Sequence, residues 1–223
     1  GRLAPAEGGA AQIGGPGDRR VLEEALAWAD ACLIGARTLR LHGCTCLIHA
    51  ADLLEQRRRQ GRPDQPAALV VSRRADFDPH LRFFTQPLER WLLTPVGAVG
   101  VRSEPAGADR SEAVSPPATP PAPPPGFAAL QPLGPWPDTL RDLAAAGLHR
   151  LVLLGGADLA GQLLAEHLVD QLQLTLCPRL LGGPHSWLPA GLDLASSCWT
   201  LLEQRVLEGE ELLLRYGRLS GPA

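Results

Sequence analysis

The segment LVLLGGADLAGQLL could bind a phosphate group. An apolar run over 151–154 predicts a buried strand, Gly155 and Gly156 follow it, and a helix is predicted from about Asp158. Glycine lets the backbone approach a ligand closely, and free N–H groups at a helix N-terminus attract phosphate oxygens. A Gly-Gly turn is also typical of tight packing between a strand and a helix, so both interpretations stay open at this point.

Two further strand ends carry groups that could contact a phosphate. In ADACLIGARTL a buried strand ends at Gly35, and Thr38 follows it. In AALVVSRR a second strand ends before Ser72 and Arg73. Open α/β sheets bind ligands outside the carboxyl ends of their strands, so we expect these turns to face one crevice, where an arginine suits the 2′-phosphate of NADP. The alternative is a solvated turn with exposed arginines.

The segment HGCTCLIH, residues 42–49, holds two histidines and two cysteines and could bind a metal. Its spacing differs from the C-x₂₋₄-C pattern of structural zinc sites, and Cys44 and Cys46 would share one face of an extended chain. We therefore expect no metal here. The cysteines are interpreted as small apolar wall residues, and His42 or His49 as a polar group lining a crevice. A zinc or copper site remains a weaker alternative.

Composition excludes several classes of function. A net charge of -3 and 4% aromatic residues argue against nucleic acid as a partner. No apolar run approaches the ~18 residues of a membrane span. The cysteines are five, an odd number, which favours free thiols and a cytoplasmic protein. All 21 basic residues are arginine, which excludes a P-loop lysine and a Schiff-base lysine.

The elements that must position these residues alternate between helix and strand. Asp18 is predicted to cap a first helix whose polar face carries Glu23 and Glu24. The stretch over 151–176 reads strand, helix, strand, which predicts a βαβ unit. Further helices are predicted over 52–60 and 137–146, and further strands over 81–84, 91–93, 199–206 and 210–216, the last two as a closing hairpin.

This pattern predicts one α/β domain over residues 1–223. Its central sheet should be mostly parallel, with helices on both faces and a C-terminal antiparallel hairpin. Residues 103–126 contain eight prolines and few residues that a core could use. They are predicted to form a loop insertion in this domain.

The order of the motifs resembles the reductase domain of riboflavin biosynthesis, in the dihydrofolate-reductase-like superfamily. The matching segments are GRLAPAEGGAAQIGGPGDRR, ADACLIGARTLR, VVSRR, LVLLGGADLAGQLLAEHLVDQLQLTLCPRLLGG and EELLLRYGR, and the match is most specific over 155–183. The resemblance implies a dihydrofolate-reductase-like fold, NADPH as hydride donor and a homodimer. It also implies a small-molecule substrate, an aminopyrimidine phosphate whose ribosyl group is reduced to ribityl. The family's first strand would precede Gly1, so it lies outside this sequence or is absent.

The resemblance assigns a role to individual residues. The family's cofactor-binding threonine and serine correspond to Thr38 and Ser72. Gly35 and Arg73 are also predicted to bind the cofactor, because they lie at the ends of the same two predicted strands. The family's cofactor-binding turn falls on Gly155, Gly156, Ala157, Asp158, Leu159 and Ala160.

The substrate side departs from the family's pattern. The family's glutamate before the paired glycines is Leu154, and its substrate loop falls on the segment that supplies His42, Cys46 and His49. An arginine of the first helix becomes Leu26. No catalytic residue is assigned. A reductase of the same fold with a different substrate, and a catalytically silent dimeric relative, both remain alternatives.

Overall fold

The computed structural model describes residues 1–4, 6–9, 13–95, 122–194 and 198–219. Its helices are α1 Pro16–Trp28, α2 Ala36–His42, α3 Ala51–Arg59, α4 Trp136–Ala145 and α5 Ala157–Ala165, with a 3-10 helix over Arg82–Thr85. Its strands are β1 Ala31–Gly35, β2 Ala67–Val71, β3 Arg90–Thr94, β4 Ala129–Pro132, β5 Leu151–Gly155, β6 Gln171–Leu176, β7 Trp199–Val206 and β8 Leu212–Arg218. None of the helices in these ranges is long and apolar enough to cross a membrane.

A five-stranded parallel sheet positions the strand ends. The strand order is β4-β3-β2-β1-β5, and every neighbouring pair is parallel. In β1, Ala31 is in register with Ala67 of β2 on one side and Leu151 of β5 on the other. The carboxyl ends of these strands therefore lie at one edge of the sheet, as the sequence predicts.

Helices cover both faces of this sheet, which confirms the predicted α/β architecture. On one face, residues such as Cys32 and Ile34 pack with side chains of α1, α2 and α3; we call this cluster the first core. On the other face, Leu33 packs with side chains of α4 and α5; we call this the second core. Successive residues of a strand point to opposite faces, so β1 contributes alternately to the two cores.

The C-terminal strands form a separate antiparallel sheet with the order β6-β8-β7. The predicted hairpin is confirmed, since β7 and β8 are paired antiparallel. The predicted βαβ unit is wrong in one respect, because β6 pairs with β8, from Gln171 opposite Gly217 to Leu176 opposite Leu212, and does not join the sheet of β5. A strand can pair through either edge, and its own sequence does not say which edge is used.

Other local predictions also need correction. The predicted strand over 81–84 is a 3-10 helix, in which Phe83 is fully buried and its N–H donates to the Gly43 carbonyl at 2.9 Å. A short apolar run does not by itself distinguish a strand from a buried turn of helix. The sequence also did not predict α2 or β4.

The N-terminus of α1 is stabilised from a distant part of the chain. The helix begins at Pro16, and Asp18 makes no capping hydrogen bond. Instead the Glu211 carboxylate, at the start of β8, accepts the N–H groups of Gly15 at 2.6 Å and Asp18 at 2.7 Å. The predicted cap is therefore wrong, because a buried carboxylate from another element satisfies the first N–H groups.

The predicted proline-rich insertion falls mostly outside the described residues, which resume at residue 122. The described part, residues 122–126, has no helix or strand. Phe127, which follows it, is buried in the first core.

Candidate functional site

The two predicted glycine turns meet at the carboxyl edge of the parallel sheet. A Cβ atom added to Gly156 would lie 3.5 Å from Thr38 Oγ1 and 3.8 Å from the Cα of Gly35. Gly155 and Gly156 have φ angles of +135° and +104°, which side chains strongly disfavour. The structure therefore brings Gly35, Thr38, Gly155 and Gly156 together, as the crevice prediction requires.

Helix α5 presents free backbone N–H groups beside these glycines. Gly156 is its N-cap residue, and no side chain makes a capping hydrogen bond there. The first-turn residues Ala157, Asp158 and Leu159 thus have N–H groups without intrahelical partners, which suits an anion. The exposed carboxylate of Asp158 adds a negative charge, so its backbone and not its side chain fits a phosphate contact.

The end of β2 lies at the same edge, two strands away from β5. Ser72 is buried, and its Oγ donates to the Arg74 carbonyl at 2.6 Å and accepts the Arg74 N–H at 3.2 Å. Arg74 also forms an exposed ion pair with Asp76 at 3.5 Å. Arg73 is exposed, and its guanidinium has no partner among the described residues, so it is the available cation at this strand end.

The segment 43–50 lies against the first core and is held by side chains of other elements. Gln86 accepts the Thr45 N–H at 2.9 Å and donates to the Thr45 carbonyl at 2.8 Å. Gln65 forms the same pair of bonds with Ile48, both at 2.8 Å. These two amides replace the partners that a neighbouring strand would provide, so the buried backbone is satisfied without a sheet.

A buried carboxylate holds the end of this segment. Glu23 accepts the N–H groups of His49 at 2.9 Å and Ala50 at 2.8 Å, just before α3 begins. Its predicted place on a polar helix face is therefore wrong, because it is 5% exposed and accepts backbone N–H groups of the segment that precedes α3. Nothing in the local pattern of α1 separates Glu23 from the neighbouring Glu24.

The four predicted substrate residues are only partly brought together. Leu154, in β5, packs against the first core, which also contains Ile48 of the 43–50 segment. His42 is the exposed last residue of α2, and Cys46 and His49 are exposed residues of the segment itself. The segment and Leu154 therefore share one face of the sheet, while the two histidines lie at its surface.

The buried cysteine beside this segment is a poor metal ligand. Burial raises the pKa of the Cys32 thiol to about 12. Metals bind the thiolate form, so this group is in the wrong protonation state at neutral pH. In the described ranges no group of three or more His, Cys, Asp or Glu residues could hold a metal ion.

A groove of about 310 Å³ lies elsewhere, between α1 and α3. Its lining includes Trp28, which ends α1, and Arg150, which precedes β5, so it lies near the amino ends of the strands. Ligands of open α/β sheets bind at the opposite ends. We therefore place the candidate site at the glycine turns and not in this groove.

Comparison with protein families decides the family to which the chain belongs. Residues 1–207 match the family described as RibD C-terminal domain. The chain is a member of that family. A comparison with curated proteins gives no match.

Solved structures with the same fold include proteins of this family. A pyrimidine reductase-like protein from Corynebacterium diphtheriae is 20% identical with a TM-score of 0.68, covering 98% of this chain and 90% of that one. RibD from Acinetobacter baumannii is 18% identical with a TM-score of 0.74, covering 99% of this chain and 55% of that one. A deaminase/reductase from Thermotoga maritima is 15% identical with a TM-score of 0.67, covering 98% and 53%. The chain thus spans about half the length of the last two proteins, and at these identities the likeness establishes the fold.

Proposed function

We propose that the chain is an NADPH-dependent reductase of a 5-amino-6-(5-phosphoribosylamino)pyrimidine-type substrate in riboflavin biosynthesis. The observation that carries the proposal is membership of the RibD C-terminal domain family. The Thermotoga maritima relative is described as a 5-amino-6-(5-phosphoribosylamino)uracil reductase. The geometry of the strand ends supports the same activity.

The residues at the strand ends fit a dinucleotide. Gly155 and Gly156 admit close approach of a ligand, and the free backbone N–H groups of Ala157, Asp158 and Leu159 could bind an anion at the helix start, while the Ala160 N–H already donates to the Gly156 carbonyl. Thr38 offers a hydroxyl beside them. Ser72 and Arg73, which follow β2, would bind the 2′-phosphate. When bound, NADPH would supply the hydride, and the chain's part would be to bind, orient and exclude water.

The substrate would lie between β5 and the 43–50 segment. Leu154 supplies an apolar wall and no hydrogen-bond acceptor for a sugar hydroxyl. Polar contacts would then come from the side chains of His42 and His49, which are both exposed. The apolar Leu154 also favours a second candidate, a reductase of the same fold with a different substrate.

We further propose a cytoplasmic homodimer. The resemblance implies the dimer, and the described cysteines are all free thiols, which fits a reducing compartment. A catalytically silent dimeric relative would share these properties, so only activity separates it from a reductase.

The test is a titration followed by turnover. The purified chain is titrated with NADPH and with NADH by fluorescence, and the aminopyrimidine ribosyl phosphate is then added while the absorbance of the reduced cofactor is followed. Arg73→Gln should weaken NADPH binding about tenfold and leave NADH binding unchanged, because it removes one charged contact to a phosphate. Arg141→Gln, an exposed arginine of α4, is the matched control.

Each result has a defined meaning. NADPH binding with turnover supports the proposal, and binding without turnover of this substrate favours the second candidate or the silent relative. A chain that binds neither cofactor would contradict every reductase function considered above.

A further inference from the structure

Thr94 carries a buried hydroxyl that no contact described so far explains. It is the last residue of β3 and is 3% exposed. Its Oγ1 has no hydrogen-bond partner in the part of the chain that the structure describes. A buried hydroxyl without a partner is unfavourable, and folded proteins rarely retain one without a reason. Thr94 therefore offers a donor that a ligand could use.

This hydroxyl lies next to Ser72, at the carboxyl edge of the sheet. The Ser72 N–H donates to the Leu93 carbonyl at 2.9 Å, and Val70 is in register with Leu92. Ser72 and Thr94 therefore occupy neighbouring positions on adjacent strands. Val70 and Leu92 both belong to the first core, so alternation places Ser72 and Thr94 on that same face.

We propose that Thr94 Oγ1 donates a hydrogen bond to the 2′-phosphate end of the nicotinamide cofactor, beside Ser72 and Arg73, and so favours NADPH over NADH. The inference rests on the proposed function above. A hydroxyl that donates to a phosphate oxygen forms a stronger bond than one to a neutral acceptor. Thr94 thus adds a third donor to a strand end where Arg73 provides the charge.

Binding at a buried hydroxyl requires a local rearrangement. The neighbouring turn is held by the two short-range bonds between Ser72 Oγ and the Arg74 backbone and by the exposed Arg74–Asp76 ion pair. Arg40 of α2 also holds it, since its guanidinium donates to the Asp76 carbonyl at 2.9 Å and pairs with the Asp76 carboxylate at 3.3 Å. An exposed ion pair of this kind contributes little stability. Entry of a phosphate would break these exposed contacts, including those of Arg40, and Ser72 and Thr94 would then become available together.

The test replaces Thr94 with valine, which has the same shape and no hydroxyl. Thr94→Val should raise the dissociation constant for NADPH about tenfold, as expected for one charged hydrogen bond, and leave that for NADH unchanged. The melting temperature of the protein without cofactor should be unchanged or higher, because no existing hydrogen bond is lost. Thr200→Val, on the exposed face of β7, is the matched control and should change neither affinity.

The outcomes separate this inference from the proposed function. If the wild-type chain binds NADPH and Thr94→Val binds it equally well, the hydroxyl is only structural and the inference is wrong. An equal loss of affinity for NADPH and NADH would overturn the assignment to the 2′-phosphate. A wild-type chain that binds neither cofactor overturns the proposed function and this inference together. Should Thr94→Val fail to fold, Thr94→Ser must keep wild-type affinity and Thr94→Ala must lose it.

Discussion

Gly156 is the residue at which the backbone geometry and the candidate chemistry coincide. It is the N-cap residue of α5 and has a φ of +104°, which glycine adopts without the strain that a side chain would add. An added Cβ would contact Thr38 Oγ1 and Gly35 across the two turns. The glycine pair in the sequence therefore indicated a real requirement of the backbone.

Replacement of Gly156 by alanine should affect both stability and binding. The φ angle makes alanine unfavourable by about 1–3 kcal/mol, and the added methyl group enters the space between the turns. We expect the dissociation constant for NADPH to rise at least about tenfold, measured by fluorescence titration. Gly61→Ala is the control, because Gly61 also has a positive φ, +68°, but faces open space after α3. Equal NADPH affinity in Gly156→Ala and wild type would contradict the assignment of this turn.

Several residues with a local signal were found from the sequence, whereas Thr94, which has one, and Glu23, which has none, were missed. Gly35, Thr38, Gly155 and Gly156 follow predicted strands and do lie together. Thr94 had the same signal as Ser72, a hydroxyl at the end of a strand in RWLLTP, and could have been found. Glu23 had no such signal, because its partners, the backbone N–H groups of His49 and Ala50, lie in another element.

At the level of elements, the 43–50 segment depends on side chains from three other parts of the chain. Gln86, Gln65 and Glu23 together satisfy its backbone, and none of them belongs to a regular strand. This arrangement fixes the position of a segment that has no helix or strand of its own. Its shape is therefore expected to be sensitive to substitutions outside it.

Gln86→Leu should change the conformation of the 43–50 segment and leave the two glycine turns unchanged. The change leaves the Thr45 N–H and carbonyl buried without partners, at a cost of about 1–3 kcal/mol for each group. We expect a lower melting temperature and a higher KM for the substrate, with unchanged NADPH affinity. Gln56→Leu, on the exposed side of α3, is the control for added hydrophobicity. An unchanged KM would argue that the segment does not line the substrate site.

The contact between β8 and α1 should make stability depend on pH. Burial alone would raise the pKa of Glu211, but the N–H groups of Gly15 and Asp18 hold that pKa below its usual value of 4.5. Because the pKa is lower in the folded state, this stabilisation is present above about pH 4.5 and is lost as the pH falls through the folded value.

Glu211→Gln tests this dependence. At pH 7 the variant should be less stable by about 1–3 kcal/mol, since a charged acceptor of two N–H groups is lost. The difference in the free energy of unfolding between variant and wild type should become smaller as the pH falls below 4.5. Urea unfolding at several pH values measures it. Glu210→Gln, an exposed neighbour, should show no such dependence. A difference that stays constant with pH would refute the charge-based explanation.

On the scale of the whole molecule, the antiparallel sheet has an edge suited to association. Strand β7 is an edge strand of the order β6-β8-β7, and Leu201, Leu202 and Val206 on it are exposed. An exposed apolar edge strand readily pairs with another chain. We expect this edge to form the interface of the proposed homodimer.

Val206→Lys should convert the proposed dimer to a monomer. Val206 is 72% exposed, so the change leaves the core intact and adds a charge to the edge. Light scattering of the purified chain is expected to give a dimer for wild type and a monomer for the variant, with NADPH affinity retained. Leu180→Lys, at a fully exposed leucine outside β7, should leave the proposed dimer intact. A dimeric Val206→Lys would place the interface elsewhere, and a monomeric wild type would exclude the dimer.

The sequence by itself determined the alternation of elements, the two glycine turns and the parallel sheet, because these depend on local periodicity and on residues whose backbone preferences are strong. Only the tertiary structure decided that β6 pairs with β8, that Glu211 caps α1, and that Gln86 and Gln65 hold the segment HGCTCLIH. Each of these depends on which partner a hydrogen-bonding group meets after folding, and the partners are far apart along the chain.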